Sequence, residues 1–206
     1  MTLFRSIATV GGFTMISRIL GFVRDILIAA ILGAGLLADV FFVAFKLPNL
    51  FRRLFAEGAF NAAFVPLFTG ALEEEGKEAA RVFADQSLSV LLWSLLVFVG
   101  LMEMAMPWAM YAFAPGFAAD PDKFNLAVLL ARITFPYLLF ISLVSLMAGV
   151  LNSVSRFAAA AATPILMNLC LIGAILWLVQ FTETPAHALA WGVAGAGVVQ
   201  LAWMAA

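Results

Sequence analysis

The stretch from Phe157 to Val179 has the sequence FAAAAATPILMNLCLIGAILWLV and contains no charged side chain. An α-helix rises 1.5 Å per residue, so roughly 20 apolar residues cross the hydrocarbon core of a bilayer. This stretch therefore predicts a transmembrane helix. The same criterion predicts six spans in the chain, at residues 7–32, 36–60, 87–110, 126–151, 157–179 and 186–206.

The composition agrees with a membrane setting. Of the 206 residues, 65% are hydrophobic and 11% are charged, with a mean hydropathy of +1.09. Soluble domains carry about 25% charged residues. We therefore predict an all-α integral membrane protein, a six-helix transmembrane bundle. The net charge of −1 argues against a nucleic-acid partner, which needs a basic surface.

The loops between the spans predict the orientation, because Lys and Arg are retained on the cytoplasmic side. An N-terminus inside the cell gives four cytoplasmic basic residues, Arg5, Lys77, Arg81 and Arg156, and leaves only Lys123 outside. Residues 73–86 are charged and are predicted to be a loop, whereas residues 61–72 are ambiguous because Pro66 interrupts them. The last span runs to Ala206 without a polar flank, so we expect the chain to be part of a longer protein.

Six basic residues fall inside the predicted spans: Arg18, Arg24, Lys46, Arg52, Arg53 and Arg132. A centrally placed Arg or Lys costs roughly 2.5–3.5 kcal/mol on insertion scales. Such side chains occur in a protein interior or in a water-filled cavity. The first two spans are therefore predicted to line an internal polar cavity. Arg132 either points outward or contacts substrate.

Helical geometry groups these charges. At about 100° per residue, Ser17, Arg18, Arg24 and Asp25 occupy an arc of roughly 120° on the first helix. On the second helix, four charged residues spaced by seven, seven and four positions lie within an arc of roughly 40°: Asp39, Lys46, Arg53 and Glu57. Arg52 lies about 100° away from Arg53 on the same helix.

The two helices together carry five basic and three acidic residues, an excess of two positive charges. A buried cation without a partner is costly. A phosphate or pyrophosphate ligand would supply the missing anion, since the guanidinium fork matches its oxygens. The alternative is that internal ion pairs, Arg24 or Arg18 with Asp25 and Arg53 with Glu57, only fix helix packing.

The lone cysteine and the lone histidine indicate no chemistry. Cys170 and His187 each stand alone, so we predict no catalytic residue, no metal site and no cofactor. The small residues of 191–197 and the alanines at 158–162 predict close helix packing. Glu103 is either a cation or proton site or a side chain that reaches the interface.

Several motifs follow one another in the first third of the chain: SRILGFVRD at 17–25, Asp39, Pro48-Asn49, Arg52-Arg53, AEGAF at 56–60 and AFVP at 63–66. Together they resemble a known family, the MurJ (MviN) lipid II flippases. A second stretch includes Asn152, Arg156-Phe157-Ala158, Pro164 and Asn168, with Ala160 where many members have proline. That departure concerns packing only.

The resemblance implies one lobe of a two-lobe, MATE-like flippase in the bacterial cytoplasmic (inner) membrane, with the second lobe absent from this chain. It implies a role in peptidoglycan biosynthesis, with lipid II, an undecaprenyl-pyrophosphate-linked precursor, as the ligand among membrane lipids. By motif, the substrate-binding residues would be Arg18, Arg24 and Arg52. The gating or supporting residues would be Ser17, Asp25, Asp39, Arg53 and Glu57.

Three other hypotheses stay open from the sequence. A drug or polysaccharide-lipid exporter of the same superfamily would share the fold. A membrane enzyme acting on a lipid pyrophosphate would need a nucleophile, and Ser17 is the only embedded candidate, without a histidine to activate it. A purely structural bundle would bind no ligand at the arginines.

Overall fold

The fold consists of α-helices joined by short connections. The computed structural model describes residues 3–54 and 59–206, with side chains from residue 8 and again from residue 62. In this part of the chain the α-helices are α1 (Leu3–Leu32), α2 (Leu36–Arg52), α3 (Ala59–Glu74), α4 (Lys77–Phe113), α5 (Pro121–Thr134), α6 (Tyr137–Ser153), α7 (Phe157–Leu176) and α8 (Pro185–Ala205). Two short 3-10 helices, Pro115–Ala119 and Leu178–Phe181, precede α5 and α8.

Within the described residues, four helical stretches are long and apolar enough to cross a membrane: Lys77–Phe113, Pro121–Ser153, Phe157–Leu176 and Pro185–Ala205. The predicted loop at 73–86 is wrong in part, because α4 already begins at Lys77. With 37 residues α4 is about 55 Å long, which exceeds the thickness of the hydrocarbon core. Its charged first turns therefore extend beyond the apolar layer as helix.

The predicted span at 126–151 is interrupted. Helix α5 ends at Thr134 and α6 begins at Tyr137, with Phe135 and Pro136 between them. The proline ring lacks an N–H and clashes with the preceding turn, which interrupts regular helix geometry. The Leu138 amide bonds the Phe135 carbonyl at 3.0 Å, so the chain stays tightly turned across the break.

The ambiguous segment at 61–72 is helical and belongs to α3, which continues through Pro66. The predicted second span at 36–60 is described as α2 up to Arg52 and as the start of α3 from Ala59. Residues 55–58, and Glu57 with them, lie outside the described residues.

The core lies where α8 packs against α5, α6 and α7. Fully buried side chains from α2, α5, α6 and α8 fill it, among them Phe41, Leu130, Leu138 and Leu189. Small residues let α7 and α8 approach closely: a Cβ added at Gly192 would lie 2.7 Å from the Cβ of Ala174. The predicted close packing of 191–197 is confirmed there.

Helix α1 packs chiefly against α7. This contact places the polar face of α1 opposite Asn168, which lies in the middle of the mostly apolar helix α7. The hollow beside this contact is bounded by α2, α6 and α8.

Candidate functional site: a cationic cavity

A cavity of about 460 Å³ lies among α1, α2, α6, α7 and α8. Three arginines line it: Arg18 and Arg24 from α1, and Arg52 from the last turn of α2. Ser17 and Gly21 lie on the same side of α1 and also line the cavity. The structure thus brings together the arginines that the sequence had singled out by motif.

The Arg24 guanidinium is held in place from two sides. Its Nε and Nη2 donate to Oδ1 of Asp25 at 2.9 and 2.7 Å. Its Nη1 donates to Oδ1 of Asn168 on α7 at 2.7 Å. These three hydrogen bonds use three of the five N–H groups of the fork, and the remaining donors are left for a ligand.

Asn168 is buried, with 5% of its surface exposed. Its Nδ2 donates to the backbone carbonyl of Ser17 at 2.9 Å, while its Oδ1 accepts from Arg24. One amide side chain therefore ties α7 to two successive turns of α1. A buried amide is stable when both of its ends are satisfied, as they are here.

The cavity wall is cationic. Among the described residues that line it, the charged ones are Arg18, Arg24 and Arg52, and no carboxylate is among them. Asp25 pairs with Arg24, but 65% of its side chain is exposed. Such a surface attracts an anion, since guanidinium groups sharing a hollow repel one another unless a counter-charge lies between them.

Neutral polar groups complete the wall. Gln200 on α8 is 2% exposed, and its Nε2 donates to the Thr163 carbonyl at 2.9 Å. Its Oε1 has no hydrogen-bond partner within the described residues. Asn49 and Thr163 line the same cavity. Gln200 was not predicted from the sequence as a site residue, although a polar amide in the middle of an apolar span is itself a signal.

The described members of the polar face predicted on the second helix, Asp39, Lys46 and Arg53, do not line the cavity. Lys46 and Arg53 are exposed and lie outside the lining, whereas Arg52, about 100° away from Arg53, faces inward. Asp39 instead pairs with Lys123 of α5 at 2.8 Å, and Lys123 also lies over the Phe117 ring at 4.3 Å. The spacing of the charged residues along α2 predicted that they share one face of the helix. It did not predict which face of α2 packs against the other helices.

Arg132 lies apart from the cavity lining. Its Nε donates to the backbone carbonyl of Glu103 at 3.1 Å, which joins α5 to α4. His187 is held locally through a 2.8 Å contact between its Nδ1 and the hydroxyl of Thr184, the residue that caps α8.

Several apolar helices of spanning length and an internal cavity lined by arginines define the class: a multi-span integral membrane protein. The family comparison makes the class specific. The model of the family described as lipid II flippase MurJ matches residues 28–206, and the chain belongs to this family.

Individual relatives agree with the family match. The chain is 50% identical over 206 residues, or 98% of its length, to a protein of Rhizobium tropici named probable lipid II flippase MurJ. It is 42% identical over 97% of its length to the lipid II flippase MurJ of Burkholderia cenocepacia. It covers 39% of each of these relatives, so the chain spans about two fifths of their length.

A solved structure shows the same fold. The structure of a lipid II flippase MurJ in an inward closed conformation superposes with a TM-score of 0.73 at 28% identity. The match covers 94% of this chain and 41% of that one. The expected family is therefore confirmed, and the relatives carry the names of flippases rather than of enzymes.

Proposed function

We propose that this chain is part of a flippase that moves lipid II, the undecaprenyl-pyrophosphate-linked peptidoglycan precursor, from the inner to the outer leaflet of the cytoplasmic membrane. The proposal is supported by the family, by the names of the relatives and by the cationic cavity. The pyrophosphate would lie in the cavity while the lipid tail stays in the bilayer.

The observation that carries the proposal is the lining of the cavity, whose described charged residues are Arg18, Arg24 and Arg52, with Asp25 held outside the lining against Arg24. A pyrophosphate offers several anionic oxygens to which guanidinium forks donate in pairs. The amide nitrogens of Asn49 and Gln200 each donate one hydrogen bond to a backbone carbonyl, and the second N–H of each would donate to a remaining oxygen.

The architecture we propose is one lobe of a two-lobe, MATE-like transporter, with the missing C-terminal lobe closing the cavity from the other side. If α2 with α3, and α5 with α6, each form one crossing, the helices make six crossings. The N-terminus is then cytoplasmic, with Lys77, Arg81 and Arg156 on the same side. Transport follows when the lobes rock about the fixed site and expose it to each leaflet in turn.

The supporting residues would have distinct tasks. Asp25 orients Arg24 through the two hydrogen bonds to its Oδ1. Ser17 contributes its backbone carbonyl to Asn168. We propose that Asp39 ties α2 to α5 through Lys123, and that Arg53 and Glu57 act in gating where α2 leads into α3.

The test is lipid II flipping by the full-length protein in proteoliposomes. Arg24→Ala and Arg52→Ala are expected to abolish flipping while the amount of protein inserted in the membrane stays the same, because each removes a phosphate-binding fork. Arg81→Ala is the matched control, since Arg81 is exposed on the charged first turns of α4. Unchanged flipping by both cavity variants would overturn the proposal.

A further inference from the structure

We propose that a neutral polar pocket between α3 and α6 binds the sugar that is attached to the pyrophosphate of the substrate. The inference rests on the proposed function and adds a second subsite to it. The pocket has a volume of about 410 Å³, and its polar lining comes from Thr69 on α3 and from Ser145, Asn152 and Ser153 on α6.

The hydrogen bonds at the pocket show what the wall offers to a ligand. The Thr69 hydroxyl donates to the Val65 carbonyl at 2.8 Å, and the Ser153 hydroxyl donates to the Gly149 carbonyl at 2.9 Å. Each hydroxyl proton is therefore used within its own helix, and the oxygen is left as an acceptor. A ligand that donates hydrogen bonds fits these oxygens.

Asn152 adds groups of both kinds. Its side chain is exposed, and no hydrogen bond from its amide is found in the described part of the chain. The amide supplies two donors and one acceptor. Together with the two hydroxyl oxygens it forms a surface that matches neighbouring sugar hydroxyls or an acetamido group.

The pocket connects with the cationic cavity. A hollow of about 130 Å³ has Arg52 and Thr163, which also line the cavity, in one part of its wall and Ser145 and Ala148, which also line the pocket, in another. A path whose polar residues are Arg52, Ser145 and Thr163, among apolar side chains, thus lies between the proposed phosphate site and the pocket. A group bonded directly to the pyrophosphate would enter this path first.

Charge selects the sugar over other parts of the substrate. The described lining of the pocket contains no charged side chain. A second phosphate or a peptide carboxylate would therefore lose its hydration without gaining a counter-charge, which is costly in a confined site. An uncharged sugar exchanges hydrogen bonds with water for hydrogen bonds with the wall.

The inference is tested by lipid binding to the full-length protein in detergent, measured by native mass spectrometry with three lipids. These are undecaprenyl pyrophosphate, the same lipid carrying its disaccharide without peptide, and the complete lipid II. In the double variant Asn152→Leu/Ser153→Ala we expect roughly tenfold weaker binding of both sugar-bearing lipids and unchanged binding of undecaprenyl pyrophosphate.

Matched variants control for folding. Thr69→Val, which keeps the shape of the side chain, is expected to weaken the binding of both sugar-bearing lipids by a few-fold. The control for Thr69 is Thr14→Val, which removes a 2.8 Å hydroxyl-to-carbonyl bond of the same kind from an exposed site on α1. The control for Ser153 is Ser89→Ala, which removes a 2.9 Å bond of the same kind from an exposed site on α4. Both control variants are expected to bind the lipids like the wild type.

The outcomes separate this inference from the proposed function. Suppose that the wild type binds the lipids but the pocket variants alter all three affinities equally or leave all three unchanged. The proposed sugar subsite is then wrong, whereas the flippase proposal stands. Loss confined to the peptide-bearing lipid would assign the pocket to the peptide and overturn the inference. If the wild type retains none of the three lipids, both proposals fail.

Discussion

The Arg24 guanidinium is fixed between a carboxylate on its own helix and an amide on α7, with Asp25 on one edge and Asn168 on the other. Fixing a long side chain in advance reduces the entropy that a ligand must remove on binding. At the level of the single residue, Arg24 is therefore held in advance in a position to receive a phosphate.

Substitution of Asn168 tests this preparation. In the Asn168→Ala variant of the full-length protein, Arg24 loses an acceptor and the Ser17 carbonyl loses a donor. Ordering a long side chain on binding costs about 0.5–1.5 kcal/mol, so we expect lipid II binding to weaken about two- to tenfold. Asn125→Ala is the control, because Asn125 is exposed on α5. Equal affinity of the two variants would show that Arg24 needs no second partner.

The role of Asp25 is tested by a double-mutant cycle on lipid II affinity. If Asp25 acts only by orienting Arg24, the Asp25→Ala substitution weakens binding in the wild type and has no effect in the Arg24→Ala background. Interacting neighbours in such cycles show coupling of about 0.5–3 kcal/mol. Additive losses would mean that Asp25 has a separate task, such as gating.

The sequence pointed to six basic residues, because a charge within an apolar span needs a protein or aqueous surrounding, and its family resemblance narrowed them to Arg18, Arg24 and Arg52. It was not sufficient to assign their partners. The bond between Arg24 and Asn168 joins residues 144 positions apart, and no periodicity along one helix contains that information. Gln200 is neutral, so the balance of charges did not draw attention to it.

Between elements, helix packing depends on a few small residues. Gly192 on α8 faces Ala174 and Leu171 on α7, where an added Cβ would lie 2.7 Å from the Ala174 Cβ and 3.3 Å from Leu171 Cδ2. Both contacts involve buried neighbours in a well-filled region, so the helices would have to separate.

We therefore expect Gly192→Ala to destabilise the full-length protein by about 1–3 kcal/mol through overpacking. Gly195→Ala, three residues along the same helix, meets nothing within 4 Å and removes a flexible residue from a helix interior, so it is expected to be neutral or stabilising by about 0.5–1 kcal/mol. Thermal unfolding in detergent distinguishes them; a higher Tm for Gly192→Ala than for Gly195→Ala would contradict the packing account.

The positions of the helices were largely accessible from hydropathy, and the differences have definite causes. Helix α4 continues past the apolar layer into its charged first turns, because hydropathy marks the membrane boundary and not the end of the helix. The break at Pro136 lies within one apolar run, so hydropathy alone did not reveal it. The face of α2 that meets the bundle was decided by packing against α5, α6 and α8.

For the whole molecule, the arginine-lined cavity is the feature on which the account depends. Its described wall contains three cationic side chains and no carboxylate, and the chain represents about two fifths of its relatives. We propose that the phosphate groups of the substrate supply the missing negative charge, and that the remaining lobe encloses them.

The most direct test is lipid II binding to the full-length protein by native mass spectrometry, comparing the wild type with Arg18→Ala, Arg24→Ala and the surface control Arg81→Ala. Loss of one charged hydrogen-bonding partner is expected to weaken binding about tenfold or more in each cavity variant and to leave the control unchanged. Wild-type affinity in both cavity variants would contradict the account, because the phosphates would then be neutralised elsewhere.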